Sequence, residues 1–427
     1  TLDRSSAASD VYKRQGYYMY HGGSTPKQNN GVGFFSDDGM GMPKISYDYQ
    51  APIGEFGLVR DSYQNLRILH TFLKDFGSIL APMETVLPEG YEKITPDNRE
   101  TLRYAARMKE DAGFIFMTNF QDHDTARFDQ TDLQLKLKLK KQTLIIPSSK
   151  TFTLKKDQSV ILPFNLSMEG ALLKYSTTQL LAKVEEKNAV HYFFFAPEGL
   201  RTEYSFDKST LSSGKEFYTP KPGLKSTFSI TVKNGKTLKI TTLTRQQALN
   251  TTKVNNHILI TEATVLPEKE QCTLLSLGKT QISYALYTAN KGWKEETIEV
   301  QPVDVKADWK KVGTRRMTVK IDQPDVPQVN DYFLRVNYVA DVAMAFIGGY
   351  LVLDHYYYGI PWTIGLRRFK NELKNEYLSF YFRPLRKDAP FIGDLPVEAI
   401  PDFSQKDADC LVRSVDVIPE YKAIVNI

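Results

Sequence analysis

Two short stretches near the start of this 427-residue chain concentrate side chains that could act on a ligand: residues 16–23, GYYMYHGG, and residues 46–57, SYDYQAPIGEFG. Together they hold the tyrosines Tyr17, Tyr18, Tyr20, Tyr47 and Tyr49, the imidazole His21, and the acids Asp48 and Glu55. A phenol suits sugar recognition, because its ring packs on the C–H face of a pyranose while its hydroxyl gives one directed hydrogen bond. The same rings can equally pack a protein interior. His21 invites an acid–base role. It leads into Gly22 and Gly23, however, with no Ser, Cys or carboxylate at the spacing of a triad, so a part in fixing the loop is expected instead.

Signals elsewhere are weaker. Gln121, Asp122, His123 and Asp124 form a polar turn that could hold a cation, although a solvated hairpin tip explains it as well. Tyr356, Tyr357, Tyr358 and Trp362 crowd beside Asp354 and His355. They could form a carbohydrate platform, but packing in a core or an interface is the favoured reading. Lys136, Lys138 and Lys140 make a basic row, read as a solvated face that deters edge pairing rather than as a polyanion site. Gly31-Val32-Gly33 is too isolated to mark a phosphate loop, and no zinc spacing is present, so neither cofactor nor metal is expected. Cys272 and Cys410 stand far apart and are expected to be free thiols. Lys and Arg number 55 against 50 Asp and Glu, a net charge of +5 that is too small at this length to imply a nucleic-acid or membrane surface. The longest apolar run, 342–353, is interrupted by Gly348 and Gly349 and falls short of the roughly 20 residues needed for a span.

Local patterns indicate the elements that must position these groups. Residues 16–23 read as a short aromatic strand, and a second extended segment covers 44–49. A helix is predicted over 60–76, where Tyr63, Leu66, Leu69, Phe72, Leu73 and Phe76 recur at three- and four-residue spacing and Gly77 would supply a left-handed cap. Beyond Pro82 the pattern turns to β, with strands expected at 102–108, 113–120, 158–163, 190–195, 227–232 and 237–242. Between 132 and 141 the alternation of Leu133, Leu135, Leu137 and Leu139 with polar residues predicts one half-buried strand. Asn234-Gly235 marks a hairpin, and Thr244 would cap a short helix over 244–253. Further strands are expected at 257–261, 280–287, 296–300, 332–353 around a Gly348-Gly349 turn, 362–369 and 378–382. The first fifteen residues, TLDRSSAASDVYKRQ, lack periodicity and any apolar signal segment. They resemble the translated end of a broken reading frame and are read as a non-native leader, with the natural protein expected to continue upstream.

The pairing of YYMYHGG with SYDYQAPIGEFG resembles the last barrel strand and following loop of glycoside hydrolase family 35 β-galactosidases. TLRYAAR, GFIFMTNFQDH, TLTRQQALN and DVAMAFIGGYLVLDHYYYGIPWTIGLRRF are similar to the appended domains of bacterial members. The resemblance implies a mainly β fold: residues 1–15 as leader, 16–82 as the last βα unit of a (β/α)8 barrel, 83–245 as a β-sandwich, 246–302 as a short αβ connection, and 303–427 as a jelly-roll, galactose-binding-like domain. It implies a retaining mechanism in which two Glu at the ends of earlier barrel strands lie about 5 to 5.5 Å apart. Both would precede residue 16, so the chain is expected to hydrolyse nothing by itself. Tyr18 and Tyr49 match the family tyrosines that hold galactose, whereas Asp48 and Glu55 match neither catalytic Glu and are expected to brace the loop. Ser24, Thr25 and Gln50 depart from the family pattern. The implied partner is a galactoside oligosaccharide or glycan, and the implied setting of the parent is periplasmic or extracellular. The alternatives are a non-catalytic carbohydrate-binding or structural β-sandwich module, and a complete hydrolase using some other pair of acids.

Overall fold

The computed structural model describes residues 17–25, 45–121, 126–140 and 142–427. The leader, the Gly31-Val32-Gly33 turn and the residues Asp122, His123 and Asp124 lie outside them. The chain is mainly β, as expected. Its first sandwich faces a seven-stranded sheet, built around Ala112–Thr118, Ser159–Met168 and Ala171–Ser176, against a five-stranded sheet centred on Ala189–Ala196 and Thr237–Thr244. Phe114 and Leu173 of one sheet meet Phe194 and Ile240 of the other in the core. Ala189–Ala196 pairs in parallel with Thr237–Thr244. Both faces of Ala189–Ala196 are covered, because Phe193 and Phe195 enter a second cluster behind it, which is why this strand reads AVHYFFFA without alternation.

The outer face of the seven-stranded sheet, with Ile115 and Leu162, is closed by Leu135, Leu144 and Ile146. Leu133, Leu137 and Leu139 also face inward while Lys136, Lys138 and Lys140 are exposed, as the alternation requires. The single strand expected at 132–141 is instead two. Gln130–Leu133 pairs with Phe152–Leu154 and Leu135–Lys138 with Thr143–Ile146, the change of partner falling at Gln134; Asp132, at φ +55°, marks a register shift inside the first of the two.

Helix α1, Asp61–Leu80, exceeds its predicted end. Gly77 lies inside it rather than in a left-handed cap; a mid-helix glycine costs about 1 kcal/mol but does not stop a helix, whereas Pro82 does. Phe72 and Phe76 enter the core of the first sandwich. The buried Asp75 carboxylate accepts from Lys253 Nζ at 2.7 Å and from the Lys183 amide at 2.8 Å, tying the helix to strands on both sides. Arg67 adds a hydrogen bond to Thr252 Oγ1 at 3.0 Å and another to the Leu249 carbonyl. Helix α1 is thus packed as a layer against the first sandwich.

Thr244 is the expected N-cap and completes a capping box with Gln247, but helix α2 covers only Arg245–Leu249, since Thr251–Val254 joins a ladder with His257–Thr261. The C-terminal sandwich packs the sheet Thr264–Pro267, Gln271–Leu277, Leu411–Asn426, Val329–Val339, Trp362–Gly365 against the sheet Ala307–Gly313, Arg316–Ile321, Leu378–Arg383, Val342–Ile347, Tyr350–Tyr356. The long strand Leu411–Asn426 pairs first with Val329–Val339 and then with Gln271–Leu277, so residues on both sides of position 303 share one sheet. Gly348 and Gly349, at φ +55° and +83°, make the expected primed hairpin turn. The strand expected over 362–369 stops at Gly365 and gives way to the tight turn Arg367–Phe369. A Cβ at Gly365 would come within 3.0 Å of Phe56 Cβ, so the glycine permits the first tyrosine-rich region to approach this sandwich. Both thiols are free.

Candidate functional site

The aromatic strand expected at 16–23 is not continuous: Tyr17, Tyr18, Met19 and Tyr20 join no ladder. His21 bridges, in parallel, to Ile53; the Gly22 amide donates to the Ile53 carbonyl at 2.7 Å and the Ile53 amide to the Tyr20 carbonyl at 3.1 Å. Pairing becomes regular only beyond it, where Gly23–Ser24 runs antiparallel to Ser46–Tyr47, with Gly23 opposite Tyr47. Met19 takes φ +67°, which splits the tyrosines between two directions. Tyr17 and Tyr20 turn toward α1, with their rings 5.6 and 5.9 Å from His70. Tyr18 turns outward and is 88% exposed.

Asp48, Tyr49, Gln50 and Ala51 form a tight turn closed by the Ala51 amide donating to the Asp48 carbonyl at 3.0 Å. Tyr49 and Gln50 stand at φ +43° and +57°, a left-handed backbone that costs a non-glycine residue about 1 kcal/mol or more. Asp48 holds the turn in place. Its carboxylate accepts from the Gln50 amide at 3.0 Å and the Glu55 amide at 2.6 Å, and pairs with Arg60 at 2.7 Å. Gly22 packs so closely that an added Cβ would lie 2.9 Å from Asp48 Cα. The turn projects Tyr49, 62% exposed, edge-on to Tyr47 at 4.9 Å between ring centroids. The Tyr47 hydroxyl in turn lies 3.0 Å from that of Tyr18. This hydrogen bond is the main cause of an upward shift in the Tyr47 phenol pKa. Tyr18 and Tyr49 are therefore joined into one exposed aromatic row by Tyr47, which the sequence alone did not single out.

Behind this row the acids serve the backbone. Glu55 is buried and accepts a short hydrogen bond from Ser24 Oγ, with Arg368 Nη1 at 3.4 Å. Burial raises its pKa, a shift that its hydrogen bonds with Ser24 and Ser46 and the Arg368 charge only partly oppose. Asp354 is fully buried and accepts from the Ser46 amide at 2.8 Å and the Ile45 amide at 3.1 Å. The aromatic cluster next to it is largely core, the favoured expectation: Tyr357 and Trp362 are buried while Tyr356 is exposed, and His355 stacks on Trp362 at 5.2 Å while bonding Tyr338 Oη through Nδ1 at 2.7 Å. Desolvation pushes the His355 imidazole down to about 3. Sequence reasoning did not identify Asp354 or Arg368 as parts of this site. An aspartate in the apolar run of a two-faced strand was the one available signal for the first, and none existed for the second. Among the described residues no group of acids, histidines and cysteines is arranged to hold a metal, and no helix is long and apolar enough to cross a membrane.

Two family models coincide with these units. "Glycosyl hydrolases family 35" matches residues 3–73, which take in the tyrosine row, its turn and most of α1, and "Beta-galactosidase, domain 2" matches residues 89–264, the first sandwich with α2 and the ladder behind it. The chain belongs to glycosyl hydrolase family 35. The rice (Oryza sativa subsp. japonica) protein Beta-galactosidase 6 is 28% identical over 138 residues, covering 31% of this chain and 15% of that protein. Beta-galactosidase 8 of Arabidopsis thaliana is 39% identical over 77 residues, covering 17% of this chain and 8% of the relative. The chain thus aligns with well under a quarter of each relative's length. In this family 35 chain, Asp354 and Arg368 lie beyond both matched stretches, although they contact residues inside the first.

Proposed function

We propose that this family 35 chain supplies the outer rim of a galactoside pocket together with the appended sandwiches of a retaining β-galactosidase, and that the two reacting carboxyl groups come from other parts of the whole protein. The observation that carries the reading is the outward row Tyr18, Tyr47 and Tyr49, held on a left-handed turn in the stretch that matches the family. Three exposed phenols offer ring faces for the apolar side of a pyranose and hydroxyls for its equatorial and axial oxygens. A retaining mechanism requires one carboxyl group free to attack and another free to deliver a proton. Asp48 and Glu55 are engaged otherwise, one in a salt bridge and two backbone amides, the other buried against Ser24 and Arg368. Their work is to shape the rim.

The test combines turnover with binding. Incubated with a nitrophenyl β-galactoside, the chain is expected to release no nitrophenol. In saturation-transfer NMR, galactose is expected to receive magnetisation from the tyrosine rings, and Tyr49→Ala is expected to abolish the transfer. Turnover lost on replacing Asp48 or Glu55 would overturn the assignment of the acids, and a galactose signal indifferent to Tyr49 would overturn the assignment of the rim.

A further inference from the structure

The segment that presents the tyrosines is gripped at both ends by the C-terminal sandwich, more than three hundred residues away in sequence. On the entering side, Asp354 of the edge strand Tyr350–Tyr356 accepts the amides of Ile45 and Ser46, immediately before Tyr47. On the leaving side, Arg368 lies 4.9 Å over the Phe56 ring, donates to Ser24 Oγ and approaches Glu55 Oε1 at 3.4 Å. Phe56 itself packs on the core of that sandwich. The left-handed turn bearing Tyr49 sits between these two holds.

We propose that Asp354 and Arg368 are positioning residues for the tyrosine row, so that the C-terminal sandwich sets the geometry in which Tyr47 and Tyr49 meet a sugar; this rests on the rim reading above. A fully buried carboxylate is a costly way to fill a strand position where an apolar side chain would pack. Its directed use on two successive backbone amides fixes the path of the chain one residue before Tyr47, which an apolar contact cannot do. Arg368 contributes in a complementary way. Its Nη1 reaches both Ser24, on the segment after Tyr18, and the Glu55 carboxylate, on the segment after Tyr49, while Nη2 reaches the Glu55 carbonyl at 3.5 Å, and so the guanidinium couples the two halves of the row. The sandwich is in this sense part of the binding surface without touching the ligand.

The experiment uses the full chain and two variants. Asp354→Asn keeps the volume but turns one acceptor into a donor facing an amide; Arg368→Gln alters an exposed side chain and leaves folding intact. Hydrogen exchange read residue by residue should rise about tenfold at Ile45 and Ser46 in Asp354→Asn, the equivalent of one lost charge-assisted hydrogen bond, while Val342–Ile347 stays protected. Galactose titrated by NMR should bind about tenfold more weakly to both variants under conditions where Val342–Ile347 stays protected, and Arg368→Lys should not restore it, because an ammonium cannot lie flat on the Phe56 ring and also reach the Glu55 carbonyl. Unchanged exchange at Ile45 and Ser46, or looser exchange with unchanged galactose affinity, would overturn the proposal. Absence of galactose binding by the unaltered chain would instead remove the rim reading, while exchange still decides whether the sandwich holds the loop.

Discussion

At the residue scale, the informative feature is a tyrosine and a glutamine kept in backbone conformations that glycine would adopt freely. Gln50 is exposed, and its side chain makes no described contact that explains φ +57°. The strain is held by its own amide donating to Asp48 and by the ion pair of that acid with Arg60. Gln50→Gly should therefore stabilise the chain by about 0.5 to 1 kcal/mol, read as a higher urea midpoint at unchanged slope. A fall in the midpoint would mean that the turn is held by the glutamine side chain after all. The phenols make a second prediction. Because the Tyr18 hydroxyl is the main reason that Tyr47 titrates above the ordinary phenol range, Tyr18→Phe should bring Tyr47 back toward 10. Tyrosine labelled with carbon-13 at Cζ would show this directly, and an unmoved Tyr47 curve would deny the contact.

At the scale of elements, the helix is the hinge between what could and what could not be read in advance. Its apolar stripe was legible, because Phe72 and Phe76 lie on one face at helical spacing and enter the core. Its length was not, since Gly77 looks like a stop in sequence and becomes one only if the backbone turns left-handed there. The hairpins at Asn234-Gly235, where Val232 pairs with Lys236 across a three-residue loop, and at Gly348-Gly349, together with the Thr244 N-cap, were legible for the same reason as the stripe: each is decided within a few residues. The change of partner at Gln134 and the grip of Asp354 on Ile45 depend on segments brought from elsewhere, and no local pattern encodes them. What anchors the helix is likewise nonlocal. Asp75→Ala would leave Lys253 buried without its carboxylate, which should cost about 3 to 5 kcal/mol. Urea unfolding followed by circular dichroism would check the value, and a loss below 1 kcal/mol would show that Lys253 reaches solvent.

At the scale of the whole molecule, the five-stranded sheet of the first sandwich is joined to the next layer through a buried polar cluster, and this joint makes stability depend on pH. His191 is 2% exposed, with Nδ1 2.6 Å from Tyr287 Oη and Nε2 2.7 Å from Thr241 Oγ1. Glu186 lies 3.9 Å from the ring and is itself paired with Lys239 at 2.6 Å. Burial pushes the imidazole down to about 4, with Glu186 opposing the shift and Lys239 adding to it. The folded chain therefore keeps His191 neutral where the unfolded chain, titrating near 6.5, takes up a proton. The stability this contributes is complete above pH 6.5 and is lost as pH falls toward 4. Glu55, Asp331 and Glu420 act in the opposite sense: burial raises all three, so the folded state binds their protons more readily and gains stability as pH falls through the raised values toward the ordinary carboxylate range. The net slope mixes both, but a single substitution separates them. His191→Gln can still bond Tyr287 and Thr241 yet carries no titrating ring, so between pH 7 and pH 5 the variant should gain about 2 kcal/mol on the unaltered chain. Urea midpoints of both proteins at the two pH values measure this difference, and parallel behaviour would mean that the imidazole at the joint takes up its proton in the folded chain as readily as in the unfolded one.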